Sequence, residues 1–306
     1  MPSLQQLRYL VALADTLHFR RAAESVNVTQ PTLSAQLREL EIRLGVQLVE
    51  RTRSRVVMTP IGTEIASRGR RILREVADIR DLARRAQRPL TGTIRVGVVP
   101  SLGSYLLPHL IPDLHDGFPD LRLYVREGMA NALIHRLEEG AIDFLFHPLP
   151  VARSELAVVP LFREPLLVVL PRNHPLAAAD EIRPGELAGE TILALEPGHR
   201  LYEQVRGLAE AYGAEVSHDF EGTSLDTLRQ MVAMGLGISF LPALYVRSEV
   251  ARESLVVTRP MSGEQPSREI GMVWRRESAR DAEFRDLAQI VAGILTGRVP
   301  EVTVLE

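Results

Sequence analysis

Three polar side chains stand at the start of one short helical segment, and the chemistry they offer is hydrogen bonding. Gln30, Thr32 and Ser34 follow Thr29, a good N-cap residue, and Pro31 is tolerated in a first helical turn. Such side chains can bond to base edges, while the N–H groups of a helix N-terminus attract phosphate. The segment predicts either a helix that reads DNA or an ordinary helical hairpin with a polar surface.

The elements that must position this helix form a helix-turn-helix followed by a wing. Helices are expected at about 4–15, 19–26 and 30–44, and two short strands at about 49–51 and 55–58. In this arrangement the third helix enters the major groove of DNA, and the wing lies beside the backbone.

Basic side chains flank the predicted reading helix. Arg38 lies on the helix, and Arg51 and Arg53 lie in the wing, where they could contact phosphate or enter the minor groove. A solvated basic hairpin is the alternative for the wing. The expected DNA-binding residues are Gln30, Pro31, Thr32, Ser34, Arg38, Arg51 and Arg53.

A long helix is predicted next, from residue 59 to about residue 87. It carries a narrow apolar stripe in which spacings of four and three residues alternate, as in a coiled-coil seam. We expect the stripe to form a dimer interface, and packing on its own domain is the alternative. The residues assigned to the interface are Ile65, Ile72, Val76, Ile79 and Ala83.

Charge is divided unevenly along the chain. The first 90 residues hold 16 Arg and 9 acidic residues, a net of +7, whereas the remaining residues have a net of −10 within an overall −3. A basic head on an acidic body is typical of a DNA-binding domain joined to a domain with another role. The chain has no Cys, which excludes disulfides and thiol redox chemistry. It has no leader pattern and no apolar run of ~20 residues, so a cytoplasmic protein without a membrane partner is expected.

From residue 91 the pattern changes to strands alternating with helices, which favours a mainly parallel sheet. Strands are expected at 93–99, 122–126, 142–146, 166–170, 191–195 and 238–241, and helices at 106–116, 130–138, 201–212 and 225–234. Ligands in such folds lie beyond the carboxyl ends of the strands. The expected ligand-binding residues are Ser101, Met129, Ala130, Asn131, His147, His199, Arg200, Thr223 and Ser224. For each of them a purely structural role is the alternative, such as helix capping by Ser224.

Residues 1–62 resemble the N-terminal domain of LysR-type transcriptional regulators. The resemblance lies in Val28-Thr29-Gln30-Pro31-Thr32-Leu33-Ser34, in Thr59-Pro60-Ile61-Gly62, and in the runs 7–14, 18–19, 22–23, 40–41, 44–45 and 48–51. Many members carry Arg after the Ser of this helix, where this chain has Ala35. The resemblance implies a winged helix-turn-helix, a linker helix, and a two-lobed α/β effector domain built like a periplasmic binding protein.

The expected domain boundaries follow from that resemblance and from the residue patterns. The DNA-binding domain is placed at 1–58, the linker helix at 59–88 and the effector domain at 89–306. Lobe I is expected at about 91–163 and 268–300, and lobe II at about 164–267, with chain crossovers near 161–165 and 266–268.

Within the family the chain is most similar to the OxyR-like branch, through the runs 103–109, 195–199 and 223–233. The redox cysteines of that branch correspond to Arg200 and about Ala209 here, and a Thr of its peroxide pocket corresponds to about Ala130. A guanidinium cannot be oxidised to a sulfenic acid or a disulfide. The scaffold is therefore expected without its thiol switch.

The leading interpretation is a LysR-type regulator, controlled by a small anionic effector in the cleft between the lobes. Its expected partners are operator DNA, a second copy as a dimer or dimer of dimers, the effector, and RNA polymerase as a further candidate. No enzyme motif, metal-ligand spacing or cofactor fingerprint is present in the sequence. Two alternatives stay open: an oxidant sensor that uses Met129, Met231 or Met234, and a cytoplasmic solute-binding protein with a vestigial DNA-binding head.

Overall fold

The computed structural model describes residues 1–51, 56–85, 90–218 and 222–305. The chain divides into two compact units, Met1–Arg88 and Pro89–Glu306. No helix in the described ranges is both long enough and apolar enough to cross a membrane.

The first unit is a three-helix core with a two-stranded wing and a long helix. Its elements are α1 (Leu4–Thr16), α2 (Phe19–Ser25), α3 (Gln30–Leu44), β1 (Val49–Arg51), β2 (Val56–Met58) and α4 (Pro60–Arg85). Leu10, Leu13, Leu33, Leu37 and Leu40 are each 0% exposed in its centre. Leu33, Leu37 and Leu40 recur at helical spacing, so one face of α3 is buried and the opposite face is left to solvent.

A close backbone contact fixes where α4 begins. The Thr59 hydroxyl accepts a hydrogen bond from the Gly62 amide at 3.0 Å and donates to the Gln47 carbonyl at 2.8 Å. A β-carbon at Gly62 would lie 2.0 Å from the Leu48 carbonyl oxygen. Only glycine permits this approach between the helix and the chain that leads into the wing.

The second unit alternates strands and helices over most of its length. Its elements, in order, are β3 (Gly92–Val98), α5 (Pro100–Gly117), β4 (Leu121–Glu127), α6 (Ala130–Glu138), β5 (Phe144–Pro148), β6 (Leu156–Pro171), β7 (Thr191–Ile192), α7 (Arg200–Tyr212), β8 (Glu215–Val216), α8 (Leu225–Ala233), β9 (Ser239–Pro242), α9 (Ala243–Ser248), β10 (Val256–Arg259), β11 (Ser267–Arg275), α10 (Asp281–Arg298) and β12 (Thr303–Val304).

Two hydrophobic cores divide this unit into lobes. The core of lobe I consists of residues from 90–162 and from 270–302, and Leu244 also belongs to it. The core of lobe II uses residues from 166–261. Strand β6 serves both, because Phe162 is buried in the first core and Leu166 in the second. Strands β6 and β11 therefore carry the chain between the lobes.

The prediction of a mainly parallel sheet is wrong. Within the described eight-stranded sheet, β3 pairs in parallel with β4 and β5, whereas β11 pairs antiparallel with β5 and β6. Strands β9, β10 and β12 also pair antiparallel with β6. The physical reason is the return of the chain: two long strands that cross between the lobes in opposite directions lie side by side.

Other expected elements shift or shorten. The strand predicted at 191–195 ends at Ile192, and Leu195 makes only an isolated bridge to Gly222. The strand predicted at 142–146 lies at Phe144–Pro148. The helix expected to start at residue 106 starts at Pro100, whose fixed backbone angle suits a first turn. The sequence reading missed α9, α10, β10 and β11 as separate elements.

Candidate functional sites

The exposed face of α3 presents polar and basic groups. Gln30, Pro31, Thr32 and Arg38 are exposed, and Ser34 is half-buried. The Thr32 hydroxyl lies 2.8 Å from the Thr29 hydroxyl, which also accepts from the Thr32 amide. Thr32 therefore takes part in the helix cap, while Gln30 and Arg38 extend from the surface.

Partly buried hydrogen bonds hold α3 in place. The Gln6 amide, 2% exposed in α1, donates to Gln36 of α3 at 3.4 Å. Nearer the C-terminus of α3, the Glu41 carboxylate accepts from the Leu48 and Val49 amides at 2.9 and 3.1 Å. The second contact ties α3 to the first wing strand. A helix anchored at its middle and near its C-terminus can present its outer face in a fixed orientation.

The wing is an antiparallel pair, β1 with β2, in which Arg51 is the partner of Val56. The Arg51 side chain and the whole of Arg53 lie outside the described residues. Their assignment to DNA stays a prediction.

The apolar stripe of α4 divides into two halves. In the first half Ile65 packs against the core of its own unit, and a β-carbon at Gly69 would lie 3.5 Å from Val11 of α1. In the second half Ile72 is 46% exposed and Ile79 is 65% exposed. Internal packing thus accounts for the start of the stripe, and Ile72 and Ile79 are left uncovered. Val76 is half-buried, and the Ala83 side chain lies outside the described set.

In the second unit, three helices begin at one small cavity between the lobes. These are α5, α6 and α7, and none of these three described helices has a side-chain hydrogen bond at its N-cap. The cavity is lined by Val99, Pro100, Ser101, Gly128, Met129, Ala130, Pro148, His199, Arg200 and Leu201. Its volume of about 10 Å³ matches a single water site. Partial positive charge from three helix ends favours an anion there.

Arg200 spans the cleft at the edge of this cavity. It is the first residue of α7, and its Nη2 donates to the Pro150 carbonyl of lobe I at 3.3 Å. Pro150 also lines an open groove of about 710 Å³ beside the crossover strands, together with Leu149, Gln204 and Glu269. A long, solvent-exposed hydrogen bond contributes about 1 kcal/mol or less. The guanidinium can therefore leave Pro150 and turn toward the cavity at small cost.

Burial favours the neutral form of two histidines, His199 in the cavity lining and His147 beside it. Burial lowers the pKa of His147, and the nearby Arg200 charge lowers it further, against the opposing effect of the Pro148 and Ala130 carbonyls. The His147 Nδ1–H donates to the Pro148 carbonyl at 2.7 Å. Burial also lowers the pKa of His199, while Glu196 opposes that effect. The formal positive charge at the cavity thus comes from Arg200.

The structure brings together five of the nine residues expected to bind ligand, namely Ser101, Met129, Ala130, His199 and Arg200. His147 lies behind this lining. Asn131 and Thr223 are exposed and are not part of the lining. Ser224 caps α8 by accepting from the Thr227 amide at 3.2 Å, which was its alternative interpretation.

Sequence reasoning missed Arg268, which is buried against Ser101, and its ion-pair partner Glu164. Arg268 is 1% exposed and donates to the Ser101 hydroxyl and carbonyl, both at 2.9 Å. A Ser-Arg-Glu run normally indicates a solvated surface, and no local pattern marks the contact. Only the pairing of β11 with β6 shows it.

Comparison with known proteins decides the family. The model for the bacterial regulatory helix-turn-helix proteins of the lysR family matches residues 4–63, and the model for the LysR substrate binding domain matches residues 87–295. The chain belongs to the LysR family of transcriptional regulators. As a LysR-family regulator it binds DNA and is not an enzyme.

Curated relatives extend over almost the whole LysR-family chain. It is 40% identical over 300 residues to the DNA-binding transcriptional dual regulator OxyR of Escherichia coli K12, covering 98% of both chains. It is 31% identical over 296 residues to the HTH-type transcriptional regulator EstR of Acinetobacter baylyi, covering 96% of this chain and 97% of that one.

Solved structures of OxyR proteins agree with the fold. A full-length Pseudomonas aeruginosa OxyR with a cysteine replaced by aspartate has a TM-score of 0.78 at 36% identity, over 95% of this chain and 98% of that one. A hydrogen-peroxide-bound, cysteine-to-serine OxyR variant of Corynebacterium glutamicum has a TM-score of 0.69 at 30% identity, over 98% of this chain and 95% of that one. The predicted fold class, a winged helix-turn-helix with an α/β effector domain, is confirmed.

Proposed function

We propose that this regulator is controlled by a small anion that binds in the inter-lobe cleft, without thiol redox switching. The observation that carries the proposal is the meeting of three helix N-termini and Arg200 at a cavity whose described lining contains no acidic residue. An Arg can hold a carboxylate or phosphate through two hydrogen bonds. The chain contains no cysteine that could replace this mode of control.

The cavity is so small that the effector can enter only after a side chain moves. A space of about 10 Å³ admits no organic carboxylate, so Arg200 must release the Pro150 carbonyl before such a ligand binds. The anionic group would then lie at the helix ends, and the rest of the molecule would extend toward the groove of about 710 Å³. Binding that favours one arrangement of the lobes shifts the population of that arrangement.

On this proposal the protein acts in the cytoplasm as a dimer or dimer of dimers on partly palindromic operator DNA. The exposed second half of the α4 stripe supports self-association. Contact with RNA polymerase stays a prediction. The alternative of a solute-binding protein with a vestigial DNA-binding head is set aside, because both family models match this chain.

The test is calorimetric titration of the full chain with acetate, pyruvate, succinate and benzoate, followed by operator binding with and without the ligand found. Arg200→Ala and Ser101→Ala should weaken that ligand at least about tenfold, equivalent to about 1.4 kcal/mol. Arg206→Ala is the matched control, because Arg206 lies on the same helix but pairs with Glu203 and Glu210 at the surface. A ligand that binds equally to all three variants lies elsewhere.

Methionine-based oxidant sensing is the second candidate, favoured by one observation: Met129 lines the same cavity. A thioether attacks peroxide, the O–O bond breaks, the sulfur takes one oxygen to become a sulfoxide, and water leaves. Met234, 63% exposed, supplies an internal comparison. If Met129 is a sensor, peptide mapping after peroxide should show it oxidised faster than Met234, and Met129→Leu should make operator binding insensitive to peroxide. Faster oxidation of Met234 would remove this candidate.

A further inference from the structure

A buried ion pair joins the two strands that cross between the lobes. Arg268 of β11 and Glu164 of β6 are direct partners in the antiparallel ladder, and Arg268 Nε donates to Glu164 Oε2 at 2.8 Å. Their side chains are 1% and 0% exposed. The pair lies between Phe162, in the core of lobe I, and Leu166, in the core of lobe II. Any change in the angle between the lobes must pivot close to it.

The same guanidinium sets the role of Ser101. Its Nη1 donates to Ser101 Oγ and its Nη2 to the Ser101 carbonyl. A guanidinium has donors only, so the Ser101 oxygen must accept from it. The hydroxyl proton of Ser101 is then directed away from Arg268, and Ser101 lines the cleft cavity. A hydroxyl prepared in this way donates to an anion in the cleft.

The carboxylate continues the network to another helix. Glu164 Oε1 accepts from the Leu244 amide at 2.9 Å. Leu244 is in the first turn of α9, which follows strand β9 of lobe II and packs on α5 of lobe I. One chain of hydrogen bonds thus runs from the cleft, through both crossover strands, to a helix that touches both lobes.

Stability alone gives little reason for this pair. Replacing a buried ion pair by apolar side chains of similar volume often leaves a protein as stable or makes it more so. We propose that Glu164 and Arg268 are positioning residues for the cleft, which hold Ser101 as a donor to a bound anion and transmit occupancy of the cleft to α9 and the lobe angle. This inference rests on the proposed function, which supplies the anion.

The variant for the test is Glu164→Gln with Arg268→Met. Gln keeps an acceptor for the Leu244 amide, and Met supplies an unbranched apolar side chain, shorter than Arg and without its donors. The control is Asp113→Asn with Arg298→Gln, which removes an ion pair between α5 and α10 of lobe I, 2.6 Å long and with side chains 25% and 55% exposed. Arg268→Lys is a second variant. It keeps the positive charge, but an ammonium group cannot donate to the Ser101 hydroxyl and carbonyl in the fixed planar geometry of a guanidinium.

The probes are acetate and inorganic phosphate, titrated into the full chain by calorimetry. The buried-pair variant and Arg268→Lys should bind the anion about tenfold more weakly, and the control should bind like the wild type. Adding Ser101→Ala to the buried-pair variant should cause little further loss, because both changes remove the same donor. If the ion pair had only a structural role, the losses of anion affinity from the buried-pair change and from Ser101→Ala would instead be additive.

A second readout follows the lobes. The absence of cysteine allows spin labels at Ala132→Cys on α6 and Glu210→Cys on α7, both exposed positions. The anion should shift the label distance in the wild type and the control, but not in the buried-pair variant. This inference alone is overturned if the wild type binds the anion and the buried-pair and Arg268→Lys variants bind it with the same affinity and show the same change in label distance. A wild type that binds neither anion overturns both it and the proposed function.

Discussion

We predict that the exposed half of the α4 stripe forms a dimer interface, so replacing Ile79 by Ala should weaken the dimer without unfolding the chain. Complete burial of an isoleucine side chain contributes about 3 kcal/mol. Ile79 is still 65% exposed and Ile72 is still 46% exposed, so covering them in an interface would contribute about 2 and about 1.4 kcal/mol respectively. A symmetric dimer counts each position twice, which gives about 7 kcal/mol from these two residues. Ala keeps one of the four side-chain carbons, so Ile79→Ala should remove about 3 kcal/mol per dimer, or roughly a hundredfold in dimer affinity.

Sedimentation or light scattering over a concentration series measures that affinity. Thermal unfolding should change little, because Ala is a better helix former than Ile and the replaced side chain is exposed. Ile79→Asp should abolish dimers and lower operator binding with them, since it places a charge in the interface. Ile42→Ala, at an isoleucine 74% exposed on α3, is the control and should leave the mass unchanged. Dimer affinity that is unaffected in both Ile79 variants would refute the α4 interface.

Four further predictions concern DNA contact and stability. Gln30→Ala should relax operator preference by about 1–3 kcal/mol if Gln30 makes a bidentate base contact, and an unchanged ratio of operator to random DNA affinity would contradict that role. Arg53→Ala should weaken binding to every sequence and reduce the slope of affinity against salt by about one, and an unchanged slope would exclude a phosphate contact. Folding lowers the pKa of both His147 and His199, so the stability they contribute is complete above pH about 6.5 and is lost as the pH falls below it. The free energy of unfolding, measured with urea at several pH values, should therefore fall less steeply with acid in the double variant His147→Gln, His199→Gln than in the wild type. Gly62→Ala should destabilise the first unit by about 3 kcal/mol, because its β-carbon would meet the Leu48 carbonyl, and a melting temperature equal to that of wild type would disprove the close approach.

Local chemistry allowed much of the first unit to be predicted from the sequence. Thr29 caps α3 and Gly45 ends it with a positive φ, as expected from their residue types. The buried face of α3 follows directly from the spacing of its leucines. Interactions within four residues of each other determine these features, so a single stretch of sequence contains them.

The second unit could be predicted only in part, because its decisive contacts are distant in sequence. Glu164 and Arg268 are 104 residues apart and meet only because β6 and β11 lie side by side. The antiparallel pairing of those strands has no local signature. The closed cavity was equally hidden: strand ends indicated which loops meet, but not that Arg200 reaches Pro150 and leaves about 10 Å³.

Lobe I is discontinuous in sequence, and this has a consequence for its synthesis. Its first segment, up to Phe162, leaves the ribosome before β11 and α10 exist, and lobe II is translated in between. At ~5–20 residues per second the delay is roughly 5–20 s, long enough for lobe II to fold first. The only tryptophan, Trp274, lies on β11 and is 0% exposed in the lobe I core. Its fluorescence should therefore mark the last step of assembly, when the end of the chain closes the lobe that began it.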